Sequence, residues 1–157
     1  MLGSGVVEPF ALPCDGAGFR SPKGRLGIWT PASDLLILRM TAQGDKAFVG
    51  PIIHAFDELS KHGQQQRLFF DLETMASYDS ELRTQLTARF YEDRLRITAF
   101  HVLVGSKLTA MGVSVANLAL GGIITSHSSR VPFVLALDAV IAASKVVGFE
   151  SSAVLAV

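Results

Sequence analysis

The sequence predicts a single α/β domain, a mixed and mainly parallel β-sheet covered by about four helices. Three observations carry this. Short aliphatic and β-branched runs alternate with segments whose apolar residues recur at helical spacing. Strands separated by single helices need crossover connections, and these give parallel pairing. The 157 residues are 49% hydrophobic and only 18% charged, enough for one core buried on several sides.

Residues 1–23 are rich in Gly, Pro and Ser, lack a period, and read as a flexible N-terminal arm. Residues 24–29 form a first strand closed by Thr30-Pro31. Residues 34–43 form a second, with Leu35, Leu36, Ile37 and Leu38 at its centre. The short link makes this pair antiparallel, with the first strand at the sheet edge. Asp45 can cap a helix whose stripe is Phe48, Val49, Ile52, Ile53, Phe56 and Leu59, ended by His62-Gly63. Pro51 requires that helix either to begin close to it, where the missing N–H costs nothing, or to kink.

Leu68, Phe69, Phe70 and Leu72 form the next strand, interrupted only by Asp71. A polar turn follows, then a helix on Leu82, Leu86 and Phe90 that runs to about Tyr91. Residues 99–104 are a further strand. Ser106 caps a helix from about Lys107 to Leu120, stopped by Gly121-Gly122. Ile123-Ile124 makes a short last strand, and Pro132 opens a helix through Phe133, Leu137, Val140 and Ile141 to about Ala143. Residues 146–157 form an apolar C-terminal tail without period, so the expected domain spans residues 24–145.

Fourteen basic and fourteen acidic residues cancel, which removes any electrostatic case for nucleic acid. The one cysteine, Cys14, excludes an intramolecular disulfide framework and fits a reducing cytoplasm. Residues 1–18 have neither the basic start nor the apolar core of a secretory leader. The uncharged run 108–126 contains Thr109, Ser114, Asn117, Gly121, Gly122 and Thr125. It reads as a buried helix and strand, not a membrane span.

The candidate chemistry lies at Asp79-Ser80, where the second helix should start. Both residue types suit an N-cap, and a hydroxyl there stands at the positive end of a helix. Ser77 and Tyr78 belong to the same turn. His54, His62, His101 and His127 show no metal-ligand spacing, so no metal is expected. No Gly-rich phosphate loop occurs, and no cofactor is expected. Residues 111–117 present a small-residue helix face suited to close packing on a sheet.

In element order and local motif the chain resembles the STAS domain family of bacterial anti-sigma-factor antagonists and sulfate-transporter cytoplasmic domains. Asp71-Leu72 ends a strand, and Asp79-Ser80 opens a helix with Asp79 eight residues after Asp71. Leu120-Gly121-Gly122, Ile123-Ile124 and Ser128-Ser129 continue the likeness, which covers about residues 24–145. Where that family has small residues after Asp-Ser, this chain has Glu81-Leu82-Arg83.

The resemblance implies a non-enzymatic, cytoplasmic, bacterial signalling module in transcription regulation. Ser80 would be its phosphoacceptor. Ser77, Tyr78, Asp79, Glu81 and Arg83 would meet an anti-sigma factor or a related serine kinase. The alternative is a small-molecule or lipid-binding STAS-like domain without a phosphoswitch, suggested by the uncharged run and the apolar tail. That tail also offers a surface to a second copy, so a homodimer is among the expected partners. An enzyme using Ser80 or a histidine has the least support, since no base can be assigned to Ser80.

Overall fold

The computed structural model describes residues 6–62, 65–144 and 146–155. They form one α/β unit around an eight-stranded mixed sheet. The strands are β1 (Glu8–Leu12), β2 (Gly16–Arg20), β3 (Gly24–Ala32), β4 (Leu35–Gly44), β5 (Gln66–Leu72), β6 (Met75–Tyr78), β7 (Ile97–Val104) and β8 (Thr125–His127). The helices are α1 (Val49–Ser60), α2 (Ser80–Glu92), α3 (Lys107–Ala119), α4 (Arg130–Ala143) and the short α5 (Ser151–Val154).

The expectation of a mainly parallel sheet is corrected. β1, β2, β3 and β4 form an antiparallel meander, and only β5, β6, β7 and β8 join by parallel ladders. The difference comes from the N-terminus, where residues 8–20 are a paired hairpin and not a loose arm. Its turn puts Cys14 (φ 58°) and Asp15 (φ 60°) in the left-handed region, as a type I′ hairpin requires, and Gly16 donates to the Pro13 carbonyl at 3.2 Å. The hairpin closes over Trp29, whose Nε1 donates to the Pro13 carbonyl at 2.8 Å. A Cβ at Gly16 would run into the indole, so only glycine lets β2 lie this close.

The antiparallel β3–β4 pair, the Asp45 cap and α1 occur where the sequence places them. The Asp45 carboxylate accepts from the Ala47 N–H at 3.0 Å and opens a 3₁₀ turn, Lys46–Phe48, before α1. Pro51 is the third residue of α1, so its missing N–H removes no helical bond. Gly63, expected to help end this helix, lies outside the described residues.

Three boundaries differ from expectation. The polar turn before α2 contains a strand, β6, which pairs with the far end of β4. The last strand is Thr125–His127, two residues beyond Ile123-Ile124. Those isoleucines are a link instead, with the Ile124 N–H donating to Asn117 Oδ1 at 2.8 Å. α4 begins at Arg130, two residues before Pro132, which again stands in the first turn.

Alternation along the strands divides the core into two layers. Leu36, Leu38, Leu68, Phe70, Phe100 and Val102 face α1, α2 and α3. Leu35, Ile37, Phe69 and Leu103 face α4 and the C-terminal segment. The tail that had no place in the sequence reading therefore completes the second layer, with Phe149, Val154 and Leu155 all buried.

Phe149→Ala is expected to cost about 3 kcal/mol in urea unfolding, the usual range for a large aromatic truncated in a core. A loss under about 0.5 kcal/mol, the level of a neutral surface change, would show that the tail is not part of the core.

Candidate functional site

The corner at the start of α2 is built by β6. Pairing of β6 with β4 sets Ser77 against Gln43 and Tyr78 against Gly44, and the Asp79 N–H then donates to the Gly44 carbonyl at 2.8 Å. Asp79 has extended N-cap geometry, yet its side chain makes no bond to its own helix. It reaches back across the corner instead. The Lys46 N–H donates to Oδ2 at 2.8 Å, Gln43 Nε2 to Oδ1 at 3.0 Å, and Lys23 Nζ lies 3.6 Å from Oδ2. Asp79 thus ties β4, the 3₁₀ turn and α2 together.

The backbone N–H of Lys46, helped by the Lys23 ammonium and the Gln43 amide, holds the Asp79 carboxyl below the ordinary aspartate range, against the burial that would raise it.

Ser80 is the first residue of α2 and is exposed. The expected capping role falls away, because α2 has no side-chain cap from Asp79 and the Ser80 hydroxyl has no partner among the described residues. Glu81 is exposed, its carboxylate 4.0 Å from Lys46 Nζ. Leu82 is buried, its Cδ2 only 2.7 Å from where a Cβ on Gly44 would stand. Of the six residues expected together, Ser80, Glu81 and Asp79 share the corner and Ser77 is half-buried beside it. Tyr78 and Arg83 are half-buried as well.

With their apolar atoms these two line a solvent-open pocket of about 80 Å³ between α2, α3 and the sheet. Leu82, Leu86 and Phe90 from α2 face Thr109, Gly112, Val113 and Ala116 from α3, over Phe70, Phe100 and Val102. The small-residue face of α3 does pack inward, but it leaves space. A Cβ at Gly112 would run into the Tyr78 hydroxyl, so this glycine admits the tyrosine ring.

Two polar clusters on the opposite face were not legible in the sequence. Asp71, 1% exposed, accepts from Arg130 Nη2 at 3.2 Å and from the Glu73 N–H at 3.1 Å, with Arg39 Nε at 3.7 Å. Arg130 Nε also donates to Glu73 at 3.0 Å. The one signal for this was a carboxylate inside an apolar strand, which needs a cationic partner when buried. His101 Nδ1 and His127 Nε2 lie 2.8 Å apart, between Phe69 and Phe133. One ring donates and the other accepts, and burial first, then His127, pushes the His101 pKa below the ordinary imidazole value. No spacing rule joins residues 26 apart on separate strands. Among the described residues no group of three or more His, Cys, Asp or Glu is placed to hold a metal ion, and no helix is long and apolar enough to cross a membrane. Ser106 caps α3, accepting from the Thr109 N–H at 3.2 Å.

Compared with protein-family models and with curated proteins, the chain matches none. What the geometry defines is a class: a single mixed-sheet α/β domain with an uncapped, exposed serine at one helix start and an apolar pocket one turn further along.

Because its pKa is depressed in the fold, Asp79 contributes stability that is complete above the unfolded value of 3.8 and is lost as pH falls through the lower folded value. Asp79→Asn is expected to be less stable than the parent near neutral pH and to show a shallower further loss below about pH 4. Parallel acid-unfolding profiles for the two proteins would rule this out.

Proposed function

We propose that the domain is a non-enzymatic regulatory module resembling anti-sigma-factor antagonists, which binds a protein partner over the start of α2 and is switched by phosphorylation of Ser80. The supporting observation is the state of that serine. Its hydroxyl is exposed, unengaged among the described residues, and placed at the N-terminus of a helix without a side-chain cap.

A phosphate there adds roughly −1.5 to −2 charges and three acceptor oxygens. The helix N-terminus favours such an anion, and Lys23 and Lys46 stand at the same corner. The fold therefore tolerates the modification. A partner surface docked on the corner does not, because it must desolvate the new charge. Phosphorylation leaves the domain folded and releases the partner, an anti-sigma factor or related serine kinase in a bacterial cytoplasm.

The departure from the family at Glu81-Leu82-Arg83 does not block this corner. Leu82 is buried toward Gly44 and Arg83 is half-buried along its apolar stem, leaving Glu81 as the fully exposed addition.

Phosphosite mapping of protein isolated from its host is expected to find the phosphate on Ser80. Ser80→Asp is expected to match or exceed Ser80→Ala in stability, by about 0.5 kcal/mol, since an anion at a helix start is favourable. It is expected to retain less than a tenth of the partner affinity that Ser80→Ala keeps. A phosphate found only elsewhere, or equal partner binding by both variants, refutes the switch.

A further inference from the structure

Helix α3 is packed in reverse. A surface helix ordinarily turns its large apolar side chains toward the sheet. Between Lys107 and Ala119, α3 buries Thr109, Gly112 and Val113 and leaves its larger apolar residues outside. Leu108 is 49% exposed, Met111 67%, Val115 50% and Leu118 84%. Steps of three, four and three residues separate them, the spacing of a heptad seam, so they form one stripe about 15 Å long. Apolar side chains exposed singly are ordinary, but a row of four on one helix is a contact surface. The C-terminal tail, expected to offer such a surface to a second copy, lies in the core.

We propose that this stripe is the interface of a homodimer, in which α3 packs antiparallel on α3 of a second copy across a two-fold axis. The stripe selects a second copy because it is symmetric about position 113. Antiparallel pairing sets Leu108 on the partner's Leu118 and Met111 on the partner's Val115, and the two-fold axis makes each contact twice. Ser114 and Ala119, small and exposed beside the stripe, let the two helices approach closely. Charge gives the orientation. Lys107 is the one charged residue of α3, and it forms no ion pair among the described residues. Antiparallel packing brings it to the partner's Ala119, at the negative end of that helix, whereas parallel packing would set two ammonium groups side by side. No acidic or basic pattern along the stripe selects a different partner. The stripe is smaller than the ~800 Å² per partner of a standard interface, so the dimer is weak, with a Kd of about 10–100 µM. The interface does not depend on modification of Ser80.

The test is sedimentation of the unphosphorylated full chain over a concentration series from about 1 to about 500 µM, which brackets that affinity. The parent is expected to pass from monomer to dimer and to form nothing larger, since a two-fold interface closes on itself. Met111→Glu and Leu118→Glu each bury a carboxylate in the seam and are expected to raise the dimer Kd about a hundredfold or more. Leu135→Glu, at an exposed apolar position on α4, is expected to leave it unchanged. Leu108→Lys combined with Leu118→Glu sets opposite charges against each other across an antiparallel seam, and is expected to bind about tenfold tighter than Leu118→Glu alone. The proposal is overturned if the parent stays monomeric throughout, if it grows beyond a dimer, if folded Met111→Glu and Leu118→Glu dimerise like the parent, or if the double variant is no tighter than Leu118→Glu. The parent series and the rescue comparison stand even if Met111→Glu folds poorly.

Discussion

The structure depends on β4 serving two kinds of neighbour at once. Leu35, Leu36, Ile37 and Leu38 are all fully buried, so both faces of the strand are covered, one by α1 to α3 and the other by α4 and the tail. One edge of β4 accepts β3 in antiparallel register, and the other accepts β5 in parallel register. Four consecutive apolar side chains are the composition this half of the strand needs, since none of the four positions faces water. Its length adds a second demand. Beyond Arg39 the parallel edge is no longer matched by β5, and β6 takes it over from Ala42 to Gly44. The left-handed Ala42, at φ 65°, marks the shift in register.

That handover makes the functional corner. β6 delivers Asp79 to the end of β4, where its carboxylate ties down the Lys46 N–H instead of capping α2. Ser80 is left at an open helix start. The same helix turns Leu82 and Leu86 into the core, so α2 carries an exposed hydroxyl and a buried apolar stripe on adjacent turns. Exposed and buried positions are set by the same rotation about one helix axis. On the opposite face, Arg130 at the first turn of α4 joins Asp71 and Glu73, and its Nη2 reaches the Leu155 carbonyl at 3.4 Å. The tail is thereby held by a hydrogen bond as well as by its apolar side chains.

Much of this was legible in the chain. The stripes of α1 and α2, the caps at Asp45 and Ser106, and the strand cores at 35–38 and 68–72 follow local periodicity and local hydrogen bonding, which operate within a few residues. The N-terminal hairpin was hidden because glycines at 16, 18 and 24 look like punctuation. Gly16 and Gly18 are there so that strands can pass under Trp29 and Phe10, a reason visible only when those rings are in place. β6 was hidden because four residues with polar neighbours carry no period of their own. They become a strand because β4 has an unpaired edge to offer.

The sequence by itself determined much of the alternation of strands and helices, the apolar stripes that α1 and α2 bury, and the position of a serine at a helix start, because these depend on residue type and spacing along the chain. Only the tertiary structure decided that half the sheet is antiparallel, that the tail belongs to the core, that Asp79 serves a neighbouring turn, and that Asp71 meets Arg130. Each of these turns on which distant groups meet; a carboxylate in an apolar strand, such as Asp71, signals that a partner is needed, but nothing local says which residue 30 or more positions away supplies it.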